Sequence, residues 1–583
     1  LEKDPMKRAL LRRGRPESPE SRRLPSLPAT KRVLAAALLC LLLIPGSRAE
    51  EAGSPAGVRI PIGELDAVPA THVIGLPSTG RSHAASARPE QPLPVEAASH
   101  HSLELPGRAL AFTTKAGAIV FEDDKGVAVA EIGYFAYLLD GADPRKRPIT
   151  FVINGGPGSA SAWLHLGALG PWRLPITQAS AHPSAGADLL PNAETWLDFT
   201  DLVFIDPVGT GYSRLHQRSA DAAASRAKDE TAEAPRKRRK AGAGQDAQAL
   251  REKFWSVQGD NSSVVVFIKR WLQAGSRTDS PKVLVGESYG GFRAPRIAQA
   301  LQAMPGLALN GFVLISPALA ARGADFPGLG GALTRAAQFP SLAATIADAK
   351  GPVSPEQLAA FEREAAGGYL ADLMAGPRDD AAVERLAARI AAVTGLDVDR
   401  VRRLGPRSAP QVFLGAIDRA SGRASSNYDA TEKRLAAYDG PALIDGGDDL
   451  SGLSVQLARA MGSLTQGPLG WKPGREYHVR GQGVGWSWSG QESLTALRSV
   501  LVRDPAFRVL IVHGYADLVT PYFRTKLMLD QLPTIGADNS RVRLEVYGGG
   551  HMFYSRDASR ARFRADALRL YEEISGGGQT PRL

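Results

Sequence analysis

From about residue 102 onward, the apolar positions of the chain fall into two regimes. Short β-branched or apolar runs, several of them nearly continuous, occur at Glu131 to Leu138, Ile149 to Asn154, Leu202 to Asp206, Lys282 to Gly286, Phe312 to Ser316, Arg508 to His513 and Arg541 to Tyr547. Stretches with helical spacing lie between them. A strand that is apolar at every position is covered on both faces, as in a parallel sheet flanked by helices. The pattern predicts an α/β architecture with a mostly parallel central sheet and helices on both faces, built from 102–318 and 494–575. Between those parts, 319–493 is helical in period and predicts an inserted helical cap. Ser354-Pro355-Glu356-Gln357 reads as a capping box with proline at the first helical position, and Val383, Leu386, Ile390 and Val393 recur at helical spacing before Gly395.

Two stretches lack periodicity. Residues 50–101 are rich in Pro, Ala, Ser and Gly and read as a disordered linker, in which His100 and His101 would be solvated. Residues 217–249 form a low-complexity Ala/charge segment ending in Pro235-Arg236-Lys237-Arg238-Arg239-Lys240, a disordered basic loop on the surface of the core.

The chain is 583 residues long, 44% apolar and 22% charged, enough for a large core and too charged for a polytopic membrane protein. Its net charge of +10 is local. Residues 1–49 carry 11 Lys/Arg against 4 Asp/Glu, a surplus of 7, and Arg236 to Lys240 add 5, which leaves 10 − 7 − 5 = −2 for the rest. A nearly neutral body has no broad basic face for phosphates, so no nucleic-acid partner is expected.

Within 1–49, Lys31 and Arg32 precede an apolar run from Val33 to Ile44, then Pro45-Gly46 and the small-residue stretch Ser47-Arg48-Ala49. This is the layout of a leader with a signal peptide. The run is too short for a permanent membrane span, so no stable membrane anchor is expected after cleavage. The first residue is Leu1, with Met6 one candidate for the start of translation. The one cysteine, Cys40, lies inside the apolar run. A mature chain without disulfides fits export to a bacterial periplasm or medium.

The candidate chemistry begins after the run at Val283, where Gly286-Glu287-Ser288-Tyr289-Gly290 passes into a helical pattern near Phe292. G-x-S-x-G in a strand-turn-helix context is a nucleophile elbow, whose glycines permit the tight turn that exposes the serine hydroxyl at the sheet edge. A serine needs a base for its proton and a carboxylate to hold that base. Asp517 follows the run Val509 to Val512, and His551 follows Val542 to Tyr547 through Gly548-Gly549-Gly550. The order Ser288, Asp517, His551 is that of the α/β-hydrolase fold. His513 precedes the acid and lies at a strand end, which points to a structural role. Oxyanion donors are expected from the Tyr289 amide and from Gly155-Gly156-Pro157-Gly158, directly after the run Ile149 to Asn154.

Five segments together resemble the serine carboxypeptidase family, in its bacterial form: Asn154-Gly155-Gly156-Pro157-Gly158, Asp206-Pro207-Val208-Gly209-Thr210-Gly211-Tyr212-Ser213, Gly286-Glu287-Ser288-Tyr289-Gly290, the Asp517 loop and Gly550-His551-Met552. The resemblance spans about Leu103 to Leu570. It implies a triad of Ser288, Asp517 and His551 and an oxyanion hole from the Gly156 and Tyr289 amides. It also implies capture of a peptide's α-carboxylate by Asn154, Gly155 and Glu287, and a leaving-residue pocket lined by Met552. Two positions depart from the family. Ser159 stands where eukaryotic members have a disulfide cysteine. Ala168 stands where well-studied members carry a second glutamate for the substrate carboxylate, so a milder acid preference is expected.

The expected function is an exported serine carboxypeptidase acting on peptides with a free C-terminus. An esterase or acyltransferase on the same fold, or an envelope binding protein using the basic loop, is the alternative. The sequence holds neither H-E-x-x-H nor a P-loop, so no metal or cofactor is implied.

Overall fold

The computed structural model describes residues 58–69, 92–176, 188–216, 248–321, 330–435, 450–481, 484, 486, 488–532 and 539–576. The stretch 1–49 read as a leader and nearly all of the segment 217–249 read as a basic loop lie outside the described residues. Residues 52–583 make one compact unit. Among the described residues, no helix is long and apolar enough to cross a membrane.

The molecule is α/β, centred on an 11-stranded sheet. Its strands are β1 (Arg59–Pro61), β2 (Ala97–Leu105), β3 (Arg108–Glu122), β4 (Ala128–Leu139), β5 (Ile149–Ile153), β6 (Asp201–Ile205), β7 (Arg214–Leu215), β8 (Lys282–Glu287), β9 (Gly311–Ile315), β10 (Arg508–Gly514) and β11 (Val542–Tyr547). The order is β1-β3-β4-β6-β5-β8-β9-β10-β11, with β2 beside β3 and β7 beside β4. From β6 to β11 the pairing is parallel throughout. β5, β6, β8 and β9 are buried at every position. Successive side chains enter opposite cores: Val283 and Val285 pack in one cluster with Phe563 and Tyr571 of the C-terminal helix, and Leu284 in the other with Phe267, Ile297 and Leu501. Helices therefore cover both faces, as the continuous apolar runs require.

The first part of the sheet differs from expectation. β2, β3 and β4 form a long antiparallel meander, and β1 and the start of β2 fall in the stretch read as a disordered linker at 50–101. His101 is half-buried, stacked on Phe112 at 5.6 Å and edge-on to Trp172 at 5.2 Å. β2 alternates exposed positions with half-buried ones and, at Leu103 and Leu105, with buried ones. It is held by cross-strand pairing with β3, which a reading of runs within one segment does not register.

The stretch between β9 and β10 is also divided rather than forming one cap. Its helices from Gly330 to Asp418 gather a cluster of their own, with Phe339, Leu386, Ile390 and Phe413, onto which Tyr515, Leu518 and Tyr522 from beyond β10 pack. The helix Ser451–Gln466 and the chain after it instead send Leu457, Met461, Trp471 and Tyr477 into the sheet-face core beside Phe135 and Tyr212. The capping box forms: the Ser354 hydroxyl accepts from Gln357 N–H, and the Gln357 side chain accepts from Ser354 N–H. Gly395 ends the helix Asp380–Thr394 in the left-handed conformation.

Candidate active site

The parallel part of the sheet sets the site. β8 lies between β5 and β9, with Gly286 opposite Ile153 and Glu287 opposite Ile315. The chain leaving β5 at Asn154 therefore runs beside the elbow that leaves β8. Ser288 has φ +57° and ψ −119°, a strained backbone for a residue with a side chain. Its amide donates to the Ile315 carbonyl, and its own carbonyl accepts from Gly291 and Ala318, so the turn is held by three backbone bonds. The side chain is only partly buried. A Cβ at Gly155 would stand 2.7 Å from Ser288 Cβ and 2.8 Å from Tyr289 N, so only glycine lets this loop reach the elbow. Tyr289 opens the helix Tyr289–Gln302, and the N–H of a first helical residue has no intrahelical acceptor.

His551 Nδ1 is 2.7 Å from Asp517 Oδ2, with both side chains buried. Asp517 Oδ1 accepts from the amides of Val519 (2.7 Å) and Thr520 (2.9 Å), and Oδ2 accepts from the Thr520 hydroxyl at 2.7 Å. Burial opposes its charge, but His551 and these donors outweigh burial and hold the carboxyl below its usual range. Burial likewise opposes a charged His551, yet the Asp517 carboxylate and, more weakly, Glu287 carry its pKa above the ordinary histidine value. His513, the rival base, is fully buried in β10, and desolvation pushes its pKa down to about 4.

Glu287, next to Ser288, is buried. Tyr554 donates its hydroxyl to Oε2 at 2.8 Å, and the Asn154 side chain hydrogen-bonds the same carboxyl. Desolvation dominates, opposed by His551 and these two bonds, and pushes the Glu287 pKa up to about 7. Asn154 is fixed in turn: its Oδ1 accepts from Leu164 N–H, and its carbonyl accepts from Arg293, which pairs with Asp260 at 2.9 Å. Met552 is half-buried against the sheet-face core. Ala168 is buried in the turn His165–Leu169, with its carbonyl bonded by Asn192.

The structure thus gathers Asn154, Gly155, Glu287, Ser288 and Tyr289 at two neighbouring strand ends, and joins Asp517 to His551 across β10 and β11. Sequence reasoning missed Tyr554, Thr520 and the Arg293–Asp260 pair. Thr520 follows Asp517 by three residues, as in an Asx-type turn, a local signal that was available. Tyr554 and Arg293 carry no signal of spacing.

A model of the serine carboxypeptidase family matches residues 106–319. No curated protein matches the sequence. Among solved structures the chain is similar to the prohormone-processing carboxypeptidase Kex1(Δ)p of Saccharomyces cerevisiae, at 15% identity over 83% of this chain and 91% of that one, with a TM-score of 0.46. It is similar also to a proline iminopeptidase of Mycobacterium smegmatis, at 15% identity over 82% and 99% with a TM-score of 0.32. A juvenile hormone epoxide hydrolase of the silkworm Bombyx mori aligns at 14% identity over 79% of both chains, with a TM-score of 0.27.

Proposed function

We propose that the protein is an exported serine carboxypeptidase that removes C-terminal residues from peptides through an acyl-enzyme. The observation that carries this reading is the buried Glu287 carboxyl, bonded to Asn154, one residue before Ser288. Near its pKa of about 7 the protonated carboxyl can donate a hydrogen bond to a substrate's α-carboxylate, and the glycines after Asn154 let backbone approach that group. Export rests on the leader at 1–49 and on the lack of cysteine beyond Cys40.

In the proposed reaction His551 Nε2 takes the proton of Ser288 as its oxygen bonds to the scissile carbonyl carbon. The amides of Gly156 and Tyr289 stabilise the oxyanion. As the C–N bond breaks, His551 returns the proton to the leaving amine, and the free amino acid departs past Met552. Water, deprotonated by the same histidine, then hydrolyses the ester. Asp517 keeps Nδ1 protonated and offsets the imidazolium charge. Digestion of a peptide mixture followed by mass spectrometry tests the reading: single residues should leave the C-terminus, and internal cleavage or no cleavage overturns it.

The pH dependence follows from Glu287. Below its pKa the carboxyl is neutral and donates; above it the carboxylate repels the substrate's own. For a blocked dipeptide, kcat/KM should fall about tenfold per pH unit above pH 7, while the matched ester, which lacks the carboxylate, holds its rate. Burial raises this pKa without the second glutamate that Ala168 replaces, and the acid preference is proposed to be milder than in members that keep the pair. Glu287→Gln donates at every pH and should remove the alkaline fall. It also withdraws a carboxylate that raises the His551 pKa, so the ester's acid limb should move to lower pH. Superimposable peptide and ester profiles in the parent would exclude Glu287 as the carboxylate-binding acid.

A further inference from the structure

The loop that carries His551 is held by a piece of chain from far away in the sequence. After β11 the chain runs through Gly548-Gly549-Gly550 before the histidine. Three successive glycines give the backbone its greatest freedom, which is the wrong property for a segment that must present an imidazole to within a fraction of an ångström. Hydrogen bonds to the loop's backbone remove that freedom. Ala516 N–H donates to the Gly549 carbonyl at 2.9 Å, and the Ser559 hydroxyl donates to the Gly548 carbonyl at 2.7 Å. The Ser316 hydroxyl donates to the His551 carbonyl at 2.8 Å. Two more come from Tyr428 and Asp429, in the stretch between β9 and β10: the Tyr428 carbonyl accepts from His551 N–H at 2.5 Å, and Asp429 Oδ2 accepts from Gly550 N–H at 2.9 Å.

This strap is itself tied down on both sides. Asn427 accepts from Leu518 N–H at 3.1 Å, and Ala430 N–H donates to Ala516 at 3.1 Å, so the same four residues bracket the Asp517 loop. Asp429 Oδ1 accepts from the Thr431 amide and hydroxyl, and Arg556 lies 3.8 Å from Oδ2 and 3.5 Å from Asp348 at the end of the helix Gly330–Asp348. The approach leaves no room: a Cβ at Gly550 would stand 2.0 Å from the Tyr428 carbonyl oxygen and 2.4 Å from Asp429 Cα.

We infer that Asp429 is a positioning residue for the proposed base, fixing His551 in register with Asp517 through the Gly550 amide. The inference rests on the reading of Ser288 and His551 as nucleophile and base. Asp429 touches neither substrate nor the reacting atoms and acts through the backbone of the glycine loop. Its loss should lower kcat and leave KM within about twofold, because the carboxylate-binding groups Asn154 and Glu287 belong to other strand ends.

The test is the rate constant at which a fluorophosphonate modifies the serine, which reports serine activation without any peptide-binding contribution and is independent of how much protein has folded. Asp429→Ala should slow labelling by about 10²-fold, the cost of a misplaced catalytic group. Gly550→Ala, which pushes the strap away from the opposite side, should slow it similarly, and the double variant should be no slower than either single one, since both remove the same contact. If Asp429→Ala does not yield folded protein, Asp429→Asn is read in the same way, since it keeps the side chain's volume but sets an amide against donors. Rates within about threefold of the parent in either single variant overturn the inference, as does additive loss in the double or a rise in KM with labelling unchanged. A parent that is not labelled at all instead overturns the proposed function.

Discussion

Ser288→Ala should eliminate covalent labelling by a fluorophosphonate and reduce peptide turnover by about 10⁴ to 10⁶. In the proposed mechanism the loss is this large because the groups around the serine act as a unit: without the hydroxyl, His551 and Asp517 have no proton to move, and what remains is binding and the two proposed oxyanion amides. The fold should not register the change. Ser288 sits at φ +57° because the turn is pinned by the Ile315, Gly291 and Ala318 bonds, all of them to backbone, and alanine inherits that geometry with the same strain. The variant should therefore melt at the parent's temperature. Ser288→Gly is the contrasting case, since glycine adopts this conformation freely and should be more stable than the parent by about 1 kcal/mol while equally inactive. Activity of Ser288→Ala within tenfold of the parent would show that another group is the nucleophile, and a large fall in its melting temperature would show that the hydroxyl serves the fold.

Much of this arrangement is visible in the sequence because its signals are local. Ile149–Ile153, apart from Thr150, and Gly311–Ile315 are apolar, so their burial on both faces can be read directly, and the elbow and the Asp517 loop follow strands of the same kind, whereas the His551 loop follows a half-buried strand in which Arg543 and Glu545 alternate with apolar residues. β2 and β3 are not legible in that way. Their half-exposed alternation through His100, Thr113 and Lys115 becomes a sheet only when the two strands pair. The Glu287 pKa shows a second limit: reasoning from neighbouring charges looks to the missing glutamate at Ala168, whereas the largest effect is desolvation, which depends on packing by distant segments. The strap from Asn427 to Ala430 is the extreme case, because Asp429 meets a glycine 121 residues away and nothing in either segment announces the other.

Asp517→Asn should cost about 10⁴ in kcat while leaving the packing intact. The reason lies in which donors face each carboxylate oxygen. Oδ1 accepts from two backbone amides, Val519 and Thr520, and no backbone N–H can reverse its role. An asparagine must therefore put its carbonyl oxygen in that place, which puts its NH₂ where Oδ2 faces His551 Nδ1 and the Thr520 hydroxyl. Thr520 can rotate its hydrogen towards the Ser316 carbonyl, 3.0 Å away, and accept the new donor. The imidazole can accept only by giving up its Nδ1 proton, so the neutral ring carries its hydrogen on Nε2, the atom that in the proposed mechanism receives the proton of Ser288. The geometry survives and the tautomer is wrong. The substitution also removes the carboxylate that raises the His551 pKa, so the activity that remains should have its acid limb at lower pH than the parent. Turnover of an ester lacking the α-carboxylate, followed from pH 5 to 9 in parent and variant, separates this from any effect on Glu287. A loss of less than about 10²-fold would mean that Asp517 does not set the histidine's tautomer.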